Sequence, residues 1–173
     1  MSQSIQSVGL FFSRADTVAS RLIRRLTGCE WSHCGLVFSG ENGSVYVEAL
    51  AGRKVSSRPI SDLHAWVERT PGAAATVIPL SLTTDECKQV WRMAELYIGI
   101  AGYGHFQIAW MWAFIRLGIP VPHSPKRVVC SELVARCLFP IRDVRPWGRR
   151  SFDEVAPAAV WRWVRCTGGG AVK

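Results

Sequence analysis

Long apolar runs, paired-cysteine motifs and histidines are all scarce in this 173-residue chain, and each scarcity removes a class of function. No stretch reaches the roughly 18 apolar residues of a membrane span; the nearest, FQIAWMWAFI at residues 106 to 115, is too short and suits a core. The start MSQSIQSVGLFFS has no basic opening, apolar stretch or small-residue cleavage site, so synthesis into the cytoplasm is the expectation. No C-x-x-C pair occurs. The six cysteines (Cys29, Cys34, Cys87, Cys130, Cys137 and Cys166) are scattered through a chain with ample core-forming residues, and they read as mostly reduced thiols. Cys29, His33 and Cys34 lie close together, yet no fourth ligand accompanies them, so neither a metal nor another cofactor is expected. Internal repeats, interdomain linkers, groove-reading helices and RNA-binding aromatic motifs are all missing, which leaves specific nucleic-acid binding without support beyond charge.

What is present is an ordinary globular composition, 49% hydrophobic and 20% charged, with a surplus of basic residues that gives a net charge of +8. That surplus is either a solvated basic face or a means of drawing the protein to an anionic polymer or membrane surface. One domain over residues 1–166 is expected, followed by a flexible Gly-rich tail over 167–173. VGLFFS reads as a short strand, and Asp16 is placed to cap a helix through TVASRLIRRLT that stops at Gly28, with Val18, Leu22, Ile23 and Leu26 as its apolar face. HCGLVFS and SVYVEAL, separated by GENG, form a hairpin. Ser61 caps a short helix DLHAWVER; ATVIPL follows as a strand with Pro79 at its edge. Thr83 and Glu86 open a strong helix running to about Gly99, and a second helix is predicted over Phe106 to Leu117. The Pro-rich GIPVPHSPKR leads as loop into VVCSELV, and a last regular segment covers APAAVWRWV.

Two arguments point to a site. Cys130 falls at the predicted first turn of a helix, where unpaired N–H groups and the positive end of the dipole favour thiolate over thiol and can hold an oxyanion. A thiolate needs a base or a cationic partner, and the chain has only four histidines. His64 lies on a short surface-type helix, His105 at a helix start and His123 in the Pro-rich loop; only His33 sits on a predicted central strand. A hairpin loop with an even number of residues makes paired residue numbers sum to an odd value, so His33 and Glu48 share a face, directly opposed or one step diagonal. A carboxylate in reach of an imidazole fixes its tautomer and stabilises its cation. At this level His33 is either a base or a satisfied structural histidine, and Cys130 either a nucleophile or a small buried hydrophobe. Cys87 and Cys137, inside helices, suit the second role. Glu132 suits a favourable first-turn acid.

The order of strand, helix LIRRLTG, then WSHCGLVF, YVEA and, about a hundred residues later, VVCSELVARCL resembles the circularly permuted branch of the NlpC-type papain-like cysteine peptidases, the YiiX-like proteins. The resemblance covers roughly residues 8 to 160. It implies an α+β, permuted papain-like fold: a small antiparallel sheet or half-barrel packed on helices, with the catalytic cysteine at a helix N-terminus. It also implies Cys130 as nucleophile, His33 as base and Glu48 as orienting third member, with Tyr103 near the pocket. Tyr46 and Ser32 are further candidates for substrate contact. Val8-Gly9-Leu10 stands where members commonly carry a Gly-Asp pair, so any role of that Asp is absent. Cys34, following His33, is expected to point away from the site. The implied activity is cleavage of amide bonds through a thioester, on peptidoglycan-type peptides or isopeptides. Lipid acyl transfer or deacylation by the same Cys–His pair is the alternative, and a metal-binding or adaptor domain a third. A wall substrate would require delivery by lysis or by a dedicated export system, as for a phage product or an exported effector.

Overall fold

A computed structural model describes residues 4–103, 117, 127–141, 152 and 155–167. Five strands make one sheet in the order β4-β3-β2-β1-β5, each neighbour antiparallel: β1 (Ile5–Arg14), β2 (His33–Gly40), β3 (Gly43–Glu48), β4 (Ser56–Pro59) and β5 (Ala74–Pro79). A second, two-stranded parallel sheet pairs β6 (Gly102–Tyr103) with β7 (Arg127–Val128). The helices are α1 (Val18–Thr27), α2 (Ile60–Arg69), α3 (Thr84–Glu95), α4 (Cys130–Leu138) and α5 (Pro157–Thr167).

Strand alternation divides the apolar side chains between the sheet's two faces. Leu10, Phe12, Cys34, Leu36, Phe38 and Val47 face α3, α4 and α5 and form the main core with Val90, Leu133, Val134 and Val160. Phe11, Val37 and Tyr46 face the other way, onto Leu63 of α2. α3 rests on β1 and α4 on β2, which brings the start of α4 to the start of the central hairpin strand. Pro79 sits on the edge strand β5, where a missing N–H costs no ladder bond.

Several expected boundaries differ. Thr17, not Asp16, caps α1 by accepting from the Ser20 N–H, and Asp16 pairs with Arg21 at 3.7 Å instead. Gly28 ends that helix in the left-handed region (φ 62°), as expected. The apolar stripe of α1 is not wholly covered: Val18 is 73% and Leu22 52% exposed, because the buried face is anchored by a polar contact, Ser20 Oγ to Ser32 Oγ at 2.7 Å. α2 has no side-chain cap; Ser61 lies inside it and Pro59 precedes it. The hairpin turns on Glu41 and Asn42, with Gly40 paired to Gly43, and Gly43 takes the positive φ (101°). The Thr83–Glu86 capping box forms, but α3 ends at Glu95 and reaches Gly99 only through turns. Strands β4, β6 and β7 were not expected. The predicted helix over 106–117 and the Pro-rich loop lie, but for Leu117 and Arg127, outside the described residues.

Candidate active site

The hairpin aligns Leu36 with Val47 and Val37 with Tyr46, so the pairing sums are odd, and His33 and Glu48 fall on one face one step apart diagonally. Their side chains meet: His33 Nε2 lies 2.9 Å from Glu48 Oε2. The other Glu48 oxygen accepts from the Arg58 guanidinium, which reaches in from β4 two residues along from Glu48's partner Ser56. Arg58 also lies over the Tyr46 ring, 5.0 Å from its centroid. Burial alone would raise the Glu48 carboxyl, but His33 and then Arg58 hold it below its ordinary value.

Cys130 begins α4 and is buried beside both His33 and Cys34. With Nε2 committed to Glu48, Nδ1 is the ring nitrogen left for another partner. Burial would pull the His33 imidazole down; the charge and hydrogen bond of Cys130, joined by Glu48, push it up to about 10. In the opposite sense, and against the cost of burial, neighbouring Cys34 and His33 bring the Cys130 thiol well below its usual range. Both shifts run in the sense that favours a thiolate beside an imidazolium.

Local packing holds each partner. Trp31 and Ser32, just before His33, are buried: Trp31 packs edge-on to Trp161 at 5.6 Å, and Ser32 N–H donates to Ser13 O at 3.2 Å. The Phe11 ring sits 5.7 Å from the His33 ring and covers Gly35, where any Cβ would collide with that ring and with the Val47 carbonyl. The α4 start is pinned by Glu132, fully buried, which accepts from the Val129 N–H at 3.3 Å and from Arg136 Nη2 at 2.6 Å. Ser131 Oγ donates to Val155 O at 2.5 Å and ties that turn to the approach to α5.

Of the expected residues, Cys130, His33 and Glu48 come together. Tyr46 is buried beneath the pair, edge-on to Phe11 at 5.4 Å, and burial pushes its phenol up to about 12. Ser32 is engaged with Ser20 and Ser13. Tyr103 pairs with Val128, two residues before Cys130, and its side chain lies outside the described residues. Cys34 lies on the strand face opposite His33, in the apolar core cluster that also holds Cys130. Arg58 was missed because SSRP carries no apolar alternation, and only its register on an unforeseen edge strand reveals it.

No family model matches the chain, and no curated protein matches it. Among solved structures, the metalloprotein YiiX from Escherichia coli O157:H7 is similar, with a TM-score of 0.63 at 20% identity over 95% of this chain and 83% of that one. The chain has a YiiX-like fold. This YiiX-like fold is an α+β arrangement of a five-stranded antiparallel sheet with helices on both faces, in which α4 begins with Cys130. Among the described residues no group of three or more His, Cys, Asp or Glu side chains is placed to hold a metal ion, so the donors described do not fit one. No described helix is long and apolar enough to cross a membrane.

Proposed function

We propose that the protein is a cysteine-dependent hydrolase of amide bonds on the circularly permuted papain-like plan. Residues 1–166 form its catalytic domain, and peptidoglycan-type peptides or isopeptides are its substrate class. The observation that carries the reading is the meeting of a helix-start thiol with an imidazole whose far nitrogen is held 2.9 Å from a buried carboxylate. The Cys130 thiolate attacks the carbonyl carbon, and the oxygen gathers charge toward the first-turn N–H of α4. His33, entering as imidazolium, gives its proton to the departing amine as the C–N bond breaks, leaving a thioester on Cys130. Neutral His33 then takes a proton from water, whose oxygen attacks the thioester and expels the Cys130 thiolate. Glu48 keeps the ring oriented and stabilises its cation, and Arg58 keeps Glu48 ionised.

Turnover of purified wall peptides and model isopeptides by wild type and Cys130→Ala tests this. The variant is expected to lose turnover together with labelling by iodoacetamide at position 130. Undiminished turnover would overturn the reading. A second reading keeps the thioester and changes the acceptor, as in lipid acyl transfer or deacylation. It is favoured by the net charge of +8 and by exposed Val18 and Leu22 beside exposed Arg21 and Arg25 on α1. Co-sedimentation with anionic vesicles at low salt supports it, and absence of binding removes it.

A further inference from the structure

The strand register puts His33 and Glu48 at one end of the sheet. Ser13 pairs with His33, Arg14 with Ala74 and Glu48 with Ser56, so β1 and β3 finish, and β2, β4 and β5 begin, at that end. The connections made there carry exposed apolar side chains among exposed basic ones. α1, which joins β1 to β2, presents Val18 and Leu22 beside Arg21 and Arg25, and its Ser20 hydroxyl meets the Ser32 hydroxyl at 2.7 Å, one residue before His33. The loop from β3 to β4 presents Arg53 and Lys54. Beside that loop, Leu96 is 61% and Ile100 74% exposed. Their segment is fixed to it by Gly99 N–H donating to Val55 O at 2.8 Å and Val55 N–H donating to Ala101 O at 2.9 Å. Lys54 also makes a β-bridge with Gly102, the first residue of β6, and β6 pairs with β7 just ahead of Cys130. The exposed acids at this end, Asp16, Glu30, Glu68 and Glu95, are outnumbered by Arg21, Arg25, Arg53, Lys54, Arg69 and Arg92. The opposite end, among the described residues, carries Glu41 at the hairpin tip, Asp62 in the first turn of α2 and Asp85 in that of α3, with Lys88 paired to Asp85 at 3.7 Å.

We propose that this end of the molecule docks on an anionic lipid bilayer, with Val18 and Leu22 as one apolar contact and Leu96 and Ile100 as a second. Apolar tips set among cations suit a surface that offers phosphates above and hydrocarbon below. A soluble polyanion would engage the cations alone and leave all four apolar side chains in water. The basic end is drawn to the anionic surface and the acidic end is repelled by it, so the molecule approaches with its site end toward the lipid. One contact is tied to the residue before His33 and the other to the strand pair ahead of Cys130. Docking therefore presents the site to bonds carried at the membrane face. That consequence, unlike the docking itself, rests on Cys130 and His33 being the working pair.

The test uses the full chain, sedimented at low salt with vesicles of equal parts phosphatidylglycerol and phosphatidylcholine, and with vesicles of phosphatidylcholine alone. Binding to the first and not the second is expected, with release as salt rises. Arg21→Gln with Arg25→Gln, and separately Arg53→Gln with Lys54→Gln, should each weaken binding by roughly 30-fold for the two charges together. Lys88→Gln, at the opposite end, should leave it unchanged. Val18→Ser with Leu22→Ser, and Leu96→Ser with Ile100→Ser, lie outside the core and are checked by circular dichroism. Both pairs should weaken vesicle binding and leave retention on heparin as in wild type. Vesicle binding that survives both apolar pairs would make this face a general polyanion surface and overturn the lipid assignment, and a wild type that ignores anionic vesicles overturns the proposal outright. Cys130→Ala is expected to bind vesicles like wild type. Intact binding without any Cys130-dependent turnover therefore overturns the hydrolase reading alone, whereas turnover of soluble wall peptides without binding overturns only the docking.

Discussion

Glu48 is a buried carboxylate with two cationic partners, and the order of those partners decides what each substitution does. One oxygen meets His33 and the other meets Arg58. Glu48→Gln keeps the volume and removes the charge, so the imidazolium loses part of its support. The upper limit of the pH window for turnover is then expected to move down from about 10, and turnover itself to fall by a factor between about 10² and about 10⁴. Turnover measured against pH reads the first effect, and an unmoved upper limit would remove Glu48 from the charge network. Arg58→Met acts one step further out. It strips Glu48 of one partner, so the carboxyl rises and the fold loses on the order of 1–3 kcal/mol. That is below the loss for a fully buried pair because the Arg58 side chain is 31% exposed. Urea unfolding checks this, and a loss no larger than that of an ordinary surface substitution would show that Arg58 contributes little.

β2 carries the site by alternation, and its tolerance is set at Gly35. A methyl there has no room between the Phe11 ring and the Val47 carbonyl, so Gly35→Ala must shift the ring that packs on His33. The expected result is a loss of about 1–3 kcal/mol together with slower Cys130 labelling. Gly43→Ala, at the hairpin turn with φ 101° and open space around it, should cost stability alone. Equal labelling rates in the two variants would detach Phe11 from the positioning of His33. At the start of α4, Glu132→Ala removes the carboxylate that accepts from Arg136 and from the Val129 N–H, while Tyr97 stays beside Arg136. A loss of up to about 3 kcal/mol is expected in urea unfolding, and an unchanged midpoint would show that Glu132 does not hold the helix start. These elements mark what was legible in the sequence. The hairpin, the capping box of α3, the Gly28 stop and the helix start at Cys130 are encoded within a few residues, and so was the facing of His33 and Glu48, which depends only on parity. Arg58 and Phe11 were illegible because each reaches the site through contacts between elements distant in sequence. For Cys34 the alternation was read correctly, but which face α4 covers is a tertiary fact that no strand pattern contains.

At the scale of the whole molecule, the Cys130–His33 pair links stability to pH with a definite shape. In the fold His33 is raised to about 10 and Cys130 is lowered well below its usual range, so between those limits the pair holds one proton. Unfolded, the imidazole titrates near 6.5 and the thiol near 8.5, so the same two groups hold two protons below about 6.5, one between, and none above about 8.5. Stability rises with pH wherever the unfolded chain binds more protons. It is therefore expected to climb toward pH 6.5, stay level to about 8.5, and fall as pH rises on toward 10, where the folded imidazolium is finally lost. Glu48, lowered in the fold, adds stability that is present above the ordinary carboxylate value and lost as pH falls through its depressed one; that limb lies at more acidic pH and remains separate. Cys130→Ser removes the thiolate, so the rise below about pH 6.5 should shrink in the variant while the Glu48 limb stays. Urea midpoints taken across pH in both proteins decide it: identical profiles from 5 to 10 would mean that the sulfur is not ionised in the fold. The nucleophile would then have to be generated at each turnover by neutral His33 acting as base.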